Sequence, residues 1–407
     1  MQKLKSFFSF QELRTASVLA LCFSSFIYLF HFELEFYLLN TILGLYAFYL
    51  LITSNRKTLF FAGFLIGALW FYWIGFSFRY YNMAWAVPLV ALGFSLIYAL
   101  IFWAVSWPKH PVLRALALFF LSFFEPFDFN WLQPELLFVH SYIGIEKWQY
   151  ALVLLSLALM IYIKDKRSPL FLLLILPALS LPTQKLETLP LDIELVQTDI
   201  AQDTKWDPAQ VPEIVKNNFS YIDLAISKKK QLVILPESVF PLFLNRYPQI
   251  LNKLKKRSQH ISIVAGGLYA ENGHNFNATY FFQNGKMQLA KKMILVPFGE
   301  YIPLPSFLAR PINEAVFGGA VDYLSASKAT TFKINNLDFK NAICYEATCH
   351  ELFEDKPPFM IATSNNAWFM PSIQPSIQRL LMQFYATKNN TIIFHSANSA
   401  GGGIIYP

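Results

Sequence analysis

The chain has 407 residues and a formal charge of +7; 55% of its residues are hydrophobic, 17% aromatic and only 14% charged. An ordinary soluble protein carries about 25% charged residues, so this composition excludes a purely soluble chain and places its lysines and arginines beside membrane spans rather than on a nucleic-acid surface. Three cysteines, with Cys22 inside an apolar run, exclude a disulfide framework.

Up to about residue 181 the sequence is a series of long apolar runs separated by short polar loops, several of them near the roughly 20 residues that cross a bilayer. Spans are predicted at 15–30, 36–53, 59–76, 84–107, 112–124, 150–163 and 170–181, about seven in all, the fifth and the last two being short. No small-residue cleavage site follows the first run and more spans come directly after it, so it reads as a retained anchor and not as a signal peptide. Basic residues fall on every second loop: Lys3, Lys5 and Arg14, then Arg56 and Lys57, then Lys109 and Arg114, then Lys164, Lys166 and Arg167. Positive charge marks the cytoplasmic side, so an odd number of spans delivers the rest of the chain to the opposite side.

From residue 191 short β-like runs alternate with amphipathic stretches, the pattern of a water-facing α/β domain. Strands are predicted at 193–198, 232–235, 261–266, 279–282, 342–345, 359–363 and 391–395, and helices at 210–228, 248–260 and 375–388. Asn284-Gly285 between two apolar runs predicts a hairpin, because both residues tolerate the positive φ of a type I′ turn. The expected organisation is a membrane domain over 1–185 and a catalytic domain over 190–407.

Three segments of the second half hold residues suited to chemistry. Glu237, in Leu235-Pro236-Glu237-Ser238, places a carboxylate just after a strand, where α/β domains display site residues; a glutamate that merely opens a helix is the plainer alternative. Lys291-Lys292 precedes an apolar stretch, a Pro-Phe-Gly turn and Glu300; a lysine held there can face an oxyanion or a thiolate, although paired lysines more often end a strand in water. Cys344, in Asn341-Ala342-Ile343-Cys344-Tyr345-Glu346-Ala347, ends a strand before a helix-compatible run, a place where helix amides lower a thiol pKa; an inert buried thiol is the alternative, and Cys349 fits that description. No His-Glu-x-x-His, Gly-x-Ser-x-Gly, phosphate-loop or dinucleotide pattern occurs, so neither a metal nor a cofactor is expected.

In this order the three segments resemble the nitrilase, or carbon-nitrogen hydrolase, superfamily, whose Glu, Lys and Cys triad sits on a four-layer αββα sandwich. Behind a polytopic membrane domain they are similar to the apolipoprotein N-acyltransferase family. The resemblance spans nearly the whole chain and includes the run Phe61 to Trp70, Gln197-Thr198-Asp199-Ile200 with Lys205-Trp206-Asp207, the stretch Leu295 to Pro303, and Ser364-Asn365-Asn366-Ala367-Trp368-Phe369.

The resemblance implies Glu237 as general base, Lys292 as oxyanion stabiliser and Cys344 as nucleophile, with Glu300, Tyr345 and Glu346 in supporting positions and Trp206 engaging substrate. Lys292 has the family's spacing to Glu300, and Lys291 does not. It further implies a phospholipid acyl donor, a diacylglyceryl-modified apolipoprotein acceptor, a Cys thioester between them, and a bacterial inner membrane with the catalytic domain in the periplasm. A membrane-tethered amidase using the same triad is the alternative enzyme. A transporter is disfavoured because the spans carry almost no ionisable groups.

Two departures from the family are visible. The helix at 378–390 lacks the acidic and basic positions the family implies, and Gly403-Ile404-Ile405-Tyr406 opens a strand where the family continues with more sandwich and a last membrane helix. The catalytic domain is therefore expected to be incomplete at its C-terminus, with 404–406 as an exposed or partly paired edge strand.

Overall fold

The computed structural model describes residues 9–181, 189, 191–297, 299–302, 304–317 and 323–407. Lys3, Lys5, Phe298 and Pro303, which entered the sequence reading, lie outside the described residues. The chain forms two units, one of Met1–Pro126, Asn130–Lys185 and Pro371–Leu380, the other of Phe127–Phe129, Leu186–Met370 and Leu381–Pro407.

The first unit is helical. It contains α1 (Phe10–His31), α2 (Tyr37–Thr53), α3 (Arg56–Phe71), α4 (Val87–Val105), α5 (Pro111–Leu121) and α6 (Lys147–Tyr162), with 3₁₀ segments at Tyr72–Tyr81 and Ser168–Ala178. Phe10–His31, Arg56–Tyr81 and Ala84–Val105 are long and apolar enough to cross a membrane, while α2, α5, α6 and Ser168–Ala178 are shorter apolar helices. Ser9 starts α1 through a capping box with Glu12, which satisfies two of the backbone donors a helix start leaves open.

Gly63 and Gly67 explain how α3 and α4 approach each other. A Cβ on Gly63 would sit 2.5 Å from the Tyr98 carbonyl oxygen, and one on Gly67 would sit 2.8 Å from the Ser95 Cα, so only glycines four residues apart permit this crossing. Arg114, which the sequence places at a loop edge, is buried in α5, where its guanidinium donates to the carbonyls of Ile52 (2.9 Å), Ser54 (2.5 Å), Ser106 (3.1 Å) and Pro108 (3.0 Å). One cation thereby satisfies orphan carbonyls where α2 and α4 end.

The second unit is a two-sheet α/β domain. In chain order it contains β1 (Ile193–Leu195), α7 (Gln202–Lys205), α8 (Val211–Ser227), β2 (Leu232–Ile234), β3 (Phe240–Phe243), α9 (Pro248–Arg257), β4 (Ser262–Glu271), β5 (His274–Gln283), β6 (Lys286–Lys291), α10 (Ser306–Phe317), β7 (Thr331–Ile334), β8 (Leu337–Ile343), β9 (Phe359–Asn365), α11 (Gln374–Asn389), β10 (Ile392–Asn398) and β11 (Gly403–Ile405). One sheet runs β1-β2-β4-β5-β6 with β3 beside β4, and the other runs β11-β10-β9-β8-β7. The parallel pairs β1–β2, β2–β4 and β9–β10 are joined through α8, α9 and α11, the crossovers that parallel strands require.

Strand parity sorts the apolar residues into layers. Val233, Leu235, Ile263, Ala265, Tyr280 and Phe282 pack with Phe219, Ile222 and Leu254 of α8 and α9. The alternate residues Leu232, Ile234, Val264 and Phe281 turn the other way and meet Phe332, Phe339, Ile361 and Phe394 of the second sheet. Strands buried on both faces read as continuous apolar runs for this reason. The Asn284-Gly285 turn closes β5 on β6 with Gln283 opposite Lys286 and φ of 51° and 74°, as the dipeptide predicts. β11 pairs antiparallel with β10 at the edge of its sheet, the place expected for the 404–406 segment.

Candidate active site

Each residue of the proposed triad leaves the end of a strand. Glu237 follows β2 across Leu235-Pro236 and is buried. Its main chain presses on β4 so closely that a Cβ on Gly266 would lie 2.7 Å from the Glu237 Cα. Lys292 follows β6, is 1% exposed, and donates its backbone N–H to the Asn277 carbonyl at 2.9 Å. Cys344 follows β8 with φ of +56°, in the left-handed region that a non-glycine residue adopts at a cost, and opens a 3₁₀ segment over Cys344–Thr348.

A buried polar cluster joins them. The Lys292 ammonium pairs with Glu300 at 2.6 Å. Asn277 Nδ2 donates to both carboxylates, at 2.7 Å to Glu237 and 3.2 Å to Glu300, so one amide group spans the two acids. Glu300 also accepts the Val296 N–H at 2.9 Å. Burial works against the Lys292 charge, yet Glu300, Glu237, Cys344 and Glu346 overcome that penalty and hold its pKa well above the usual lysine range.

The thiol differs from the sequence expectation. Burial, with Glu237 next, pushes Cys344 up to about 12, against the opposing pull of Lys292 and the Asn365 backbone N–H. Desolvation is the main cause, and the turn leads into a short 3₁₀ segment rather than a helix whose dipole would favour the thiolate. Cys349, buried, donates its thiol to the Tyr345 carbonyl at 3.4 Å and fits a structural part.

The supporting residues fall into three settings. Buried Glu346 accepts the backbone N–H groups of Met293 (2.5 Å), Ile294 (2.9 Å) and Ile343 (2.7 Å), tying the chain after Lys292 to the strand before Cys344. Burial raises its carboxyl to about 7 despite Lys292 and these donors. Tyr345 donates its hydroxyl to the Asp128 carbonyl at 3.0 Å and stacks on Phe129 with ring centroids 6.2 Å apart. Trp206, at the C-terminus of α7, is 36% exposed. Lys291 is directed elsewhere, to Glu271 at 2.6 Å with its ammonium 4.1 Å from the Phe276 ring centroid.

The sequence reading passed over two buried residues of this cluster. Asn277 lies inside β5 with no motif around it, and only the strand register reveals that it faces two acids. Lys205 has no role assigned by the Lys205-Trp206-Asp207 motif, yet its ammonium donates to the Glu237 carbonyl at 3.0 Å. Among the described residues no group of three His, Cys, Asp or Glu side chains is placed to hold a metal ion.

An apolar helical domain, followed by a two-sheet α/β domain that gathers a carboxylate, an ammonium and a thiol at its strand ends, defines a membrane-bound enzyme of the carbon-nitrogen hydrolase class. Residues 195–403 match the carbon-nitrogen hydrolase family, and residues 10–181 match the apolipoprotein N-acyltransferase integral membrane domain. The chain belongs to the apolipoprotein N-acyltransferase family. It is similar to the apolipoprotein N-acyltransferase of Wolinella succinogenes, with 42% identity across 95% of this chain and 94% of the relative. The corresponding protein of Helicobacter hepaticus is 36% identical across 91% of this chain and 94% of the relative. Among solved structures, a CN-hydrolase superfamily protein of Xanthomonas campestris is 14% identical, covers 52% of this chain and 76% of its own, and has a TM-score of 0.38.

Proposed function

We propose that the protein transfers an acyl chain from a membrane phospholipid, through a thioester on Cys344, to the α-amine of the lipidated N-terminal cysteine of an apolipoprotein. The observation that carries this reading is the cluster of buried Glu237 and Lys292 with half-buried Cys344, electrostatically coupled at three strand ends in a chain of this family.

In the first half-reaction Glu237 takes the Cys344 proton as the sulfur attacks the ester carbonyl carbon. The raised thiol pKa makes this transfer part of the attack rather than a prior ionisation. Lys292, with backbone amides, stabilises the tetrahedral oxyanion. The carbon–oxygen bond then breaks, Glu237 returns its proton to the departing alkoxide, and a lysophospholipid leaves. In the second half-reaction the acceptor amine attacks the thioester, a carbon–nitrogen bond forms as the carbon–sulfur bond breaks, and Glu237 passes the amine proton back to the sulfur. Both substrates are lipids, which accounts for the membrane half. The family resemblance implies a bacterial inner membrane, and the alternating basic loops support a catalytic domain on the side opposite the cytoplasm, the periplasm.

Purified protein mixed with phospholipid labelled in its acyl chains tests the two-stage course. Without acceptor, about one equivalent of lysophospholipid per enzyme is expected, as ping-pong transfer requires. Adding a diacylglyceryl lipopeptide should then give turnover and an N-acylated product. Lysophospholipid that appears only after the lipopeptide is added would contradict the acyl-enzyme, and steady release of free fatty acid would favour a hydrolase.

A further inference from the structure

Lys205 is 1% exposed, and its ammonium donates to the main-chain carbonyl of Glu237 at 3.0 Å. The segment that carries it is fixed at both ends. At its start, Gln202 Oε1 accepts from Asn365 Nδ2 at 2.8 Å, and Asn365 is also the residue whose backbone N–H reaches the Cys344 thiol. Asn398 holds Asn365 in turn, donating to its Oδ1 at 2.8 Å, and accepts from the Ile200 N–H at 2.9 Å with its own Oδ1. A four-residue helix therefore touches the thiol's neighbour at one end and the base's main chain at the other.

Charge balance gives the buried ammonium a task. Lys292 is ion-paired with Glu300 at 2.6 Å and senses Glu237 only as a further neighbour, so among the described residues the Glu237 carboxylate has an amide donor but no ion pair of its own. Glu237 and Cys344 are the ionisable groups that raise the proton affinity of Lys205, while burial, the largest influence, pulls it down to about 8. Asp203 and Asp207 on its own segment are exposed. A buried charge without an opposite partner is costly, and the negative charge of this site persists throughout thiol deprotonation, moving from Glu237 to sulfur.

We propose that Lys205 is a positioning residue of the acylation step, whose ammonium holds the Glu237 main chain and supplies the positive charge that balances the carboxylate–thiol pair. The proposal rests on the acyl-enzyme reading above. Removing the cation disfavours the negatively charged form of the site as a whole, so the acid limb of acylation moves upward as the rate falls.

The test is acyl-enzyme formation by the full-length protein in phosphatidylethanolamine-containing micelles, followed by intact mass from pH 5.5 to 9.5. Wild type, Lys205→Met, Lys205→Gln and Cys344→Ala are compared. Glutamine keeps a donor for the Glu237 carbonyl without the charge. Both Lys205 variants are expected to acylate roughly 100-fold more slowly, the scale of losing one electrostatic partner in a site, with an acid limb about one pH unit higher. A glutamine variant with the wild-type acid limb would overturn the proposal, since hydrogen bonding alone would then explain Lys205. Should neither variant fold, the wild-type profile decides: burial lowers the Lys205 pKa, so acylation should pass through a maximum and fall on its alkaline side, and a rate that still climbs to pH 9.5 overturns the proposal. An acyl mass absent from wild type, or unchanged in Cys344→Ala, would instead overturn the acyl-enzyme reading and this proposal with it.

Discussion

Lys292 and Lys291 are adjacent in sequence and opposite in fate, and strand parity decides between them. Consecutive side chains at a strand end point to opposite faces, so one ammonium enters the buried cluster and its neighbour lies against Glu271 on the surface. The sequence alone showed two lysines, and spacing to Glu300 was the only hint of which one turns inward. Glu237 and Cys344 were readable because each sits just past an apolar run, whereas Asn277 and Lys205 act through tertiary proximity that no local pattern encodes. The pairing also makes a prediction about Lys292→Met. Removing one partner of a buried ion pair strands Glu300 and costs about 3–5 kcal/mol, so this variant should lose stability as well as rate. The double variant Lys292→Met/Glu300→Gln should recover most of the denaturation midpoint yet remain at least about 100-fold slow, because the oxyanion still lacks its cation. Recovery of activity together with stability would remove Lys292 from the chemistry.

Secondary-structure elements were legible in proportion to their length and local chemistry. Helices predicted at 210–228 and 248–260 correspond to α8 and α9, and the Asn-Gly hairpin is where its turn chemistry puts it. β3 escaped notice because it contains a proline, and β7 because Thr331-Phe332-Lys333-Ile334 holds only two apolar residues and no continuous apolar run. α10 escaped because Pro311 lies inside it. The helix-compatible run after Cys344 is instead two 3₁₀ pieces, Cys344–Thr348 and His350–Phe353, interrupted by extended Cys349. What holds this turn is Glu346, whose two oxygens serve three backbone donors. In Glu346→Gln the amide nitrogen must confront one of those N–H groups, so the variant should lose about 1–3 kcal/mol and displace Cys344. The carboxyl adds a pH signature. Its folded pKa of about 7 lies above the ordinary carboxyl value of 4.5, so the folded state holds the extra proton between these values. This group's contribution is therefore fully present below pH 4.5, declines as pH rises to about 7, and is constant above that. Denaturant titrations at pH 5 and 7.5 should show this slope in wild type and lose it in Glu346→Gln; an unchanged slope would assign it to other groups.

Taken whole, the molecule divides as its composition does, with an apolar helical part and an α/β part whose sheets share one core. Hydropathy marks where apolar helices lie better than it marks their ends: the runs predicted at 112–124 and 150–163 are the 11-residue α5 and the 16-residue α6, both short for a bilayer crossed by one straight helix. Buried Arg114 shows a further limit of reading charge from sequence, since a residue counted toward a loop's basic bias instead binds four carbonyls within the first unit. The proposed function makes one chemical demand on the chain, a thiol that takes an acyl chain from lipid. The most direct test is peptide mass spectrometry of the protein after incubation with phospholipid alone. An acyl mass on the peptide containing Cys344, released by neutral hydroxylamine and absent from Cys344→Ala but present in Cys349→Ala and Cys22→Ala, is the predicted result; an unmodified Cys344, or an acyl group on another residue, would contradict it.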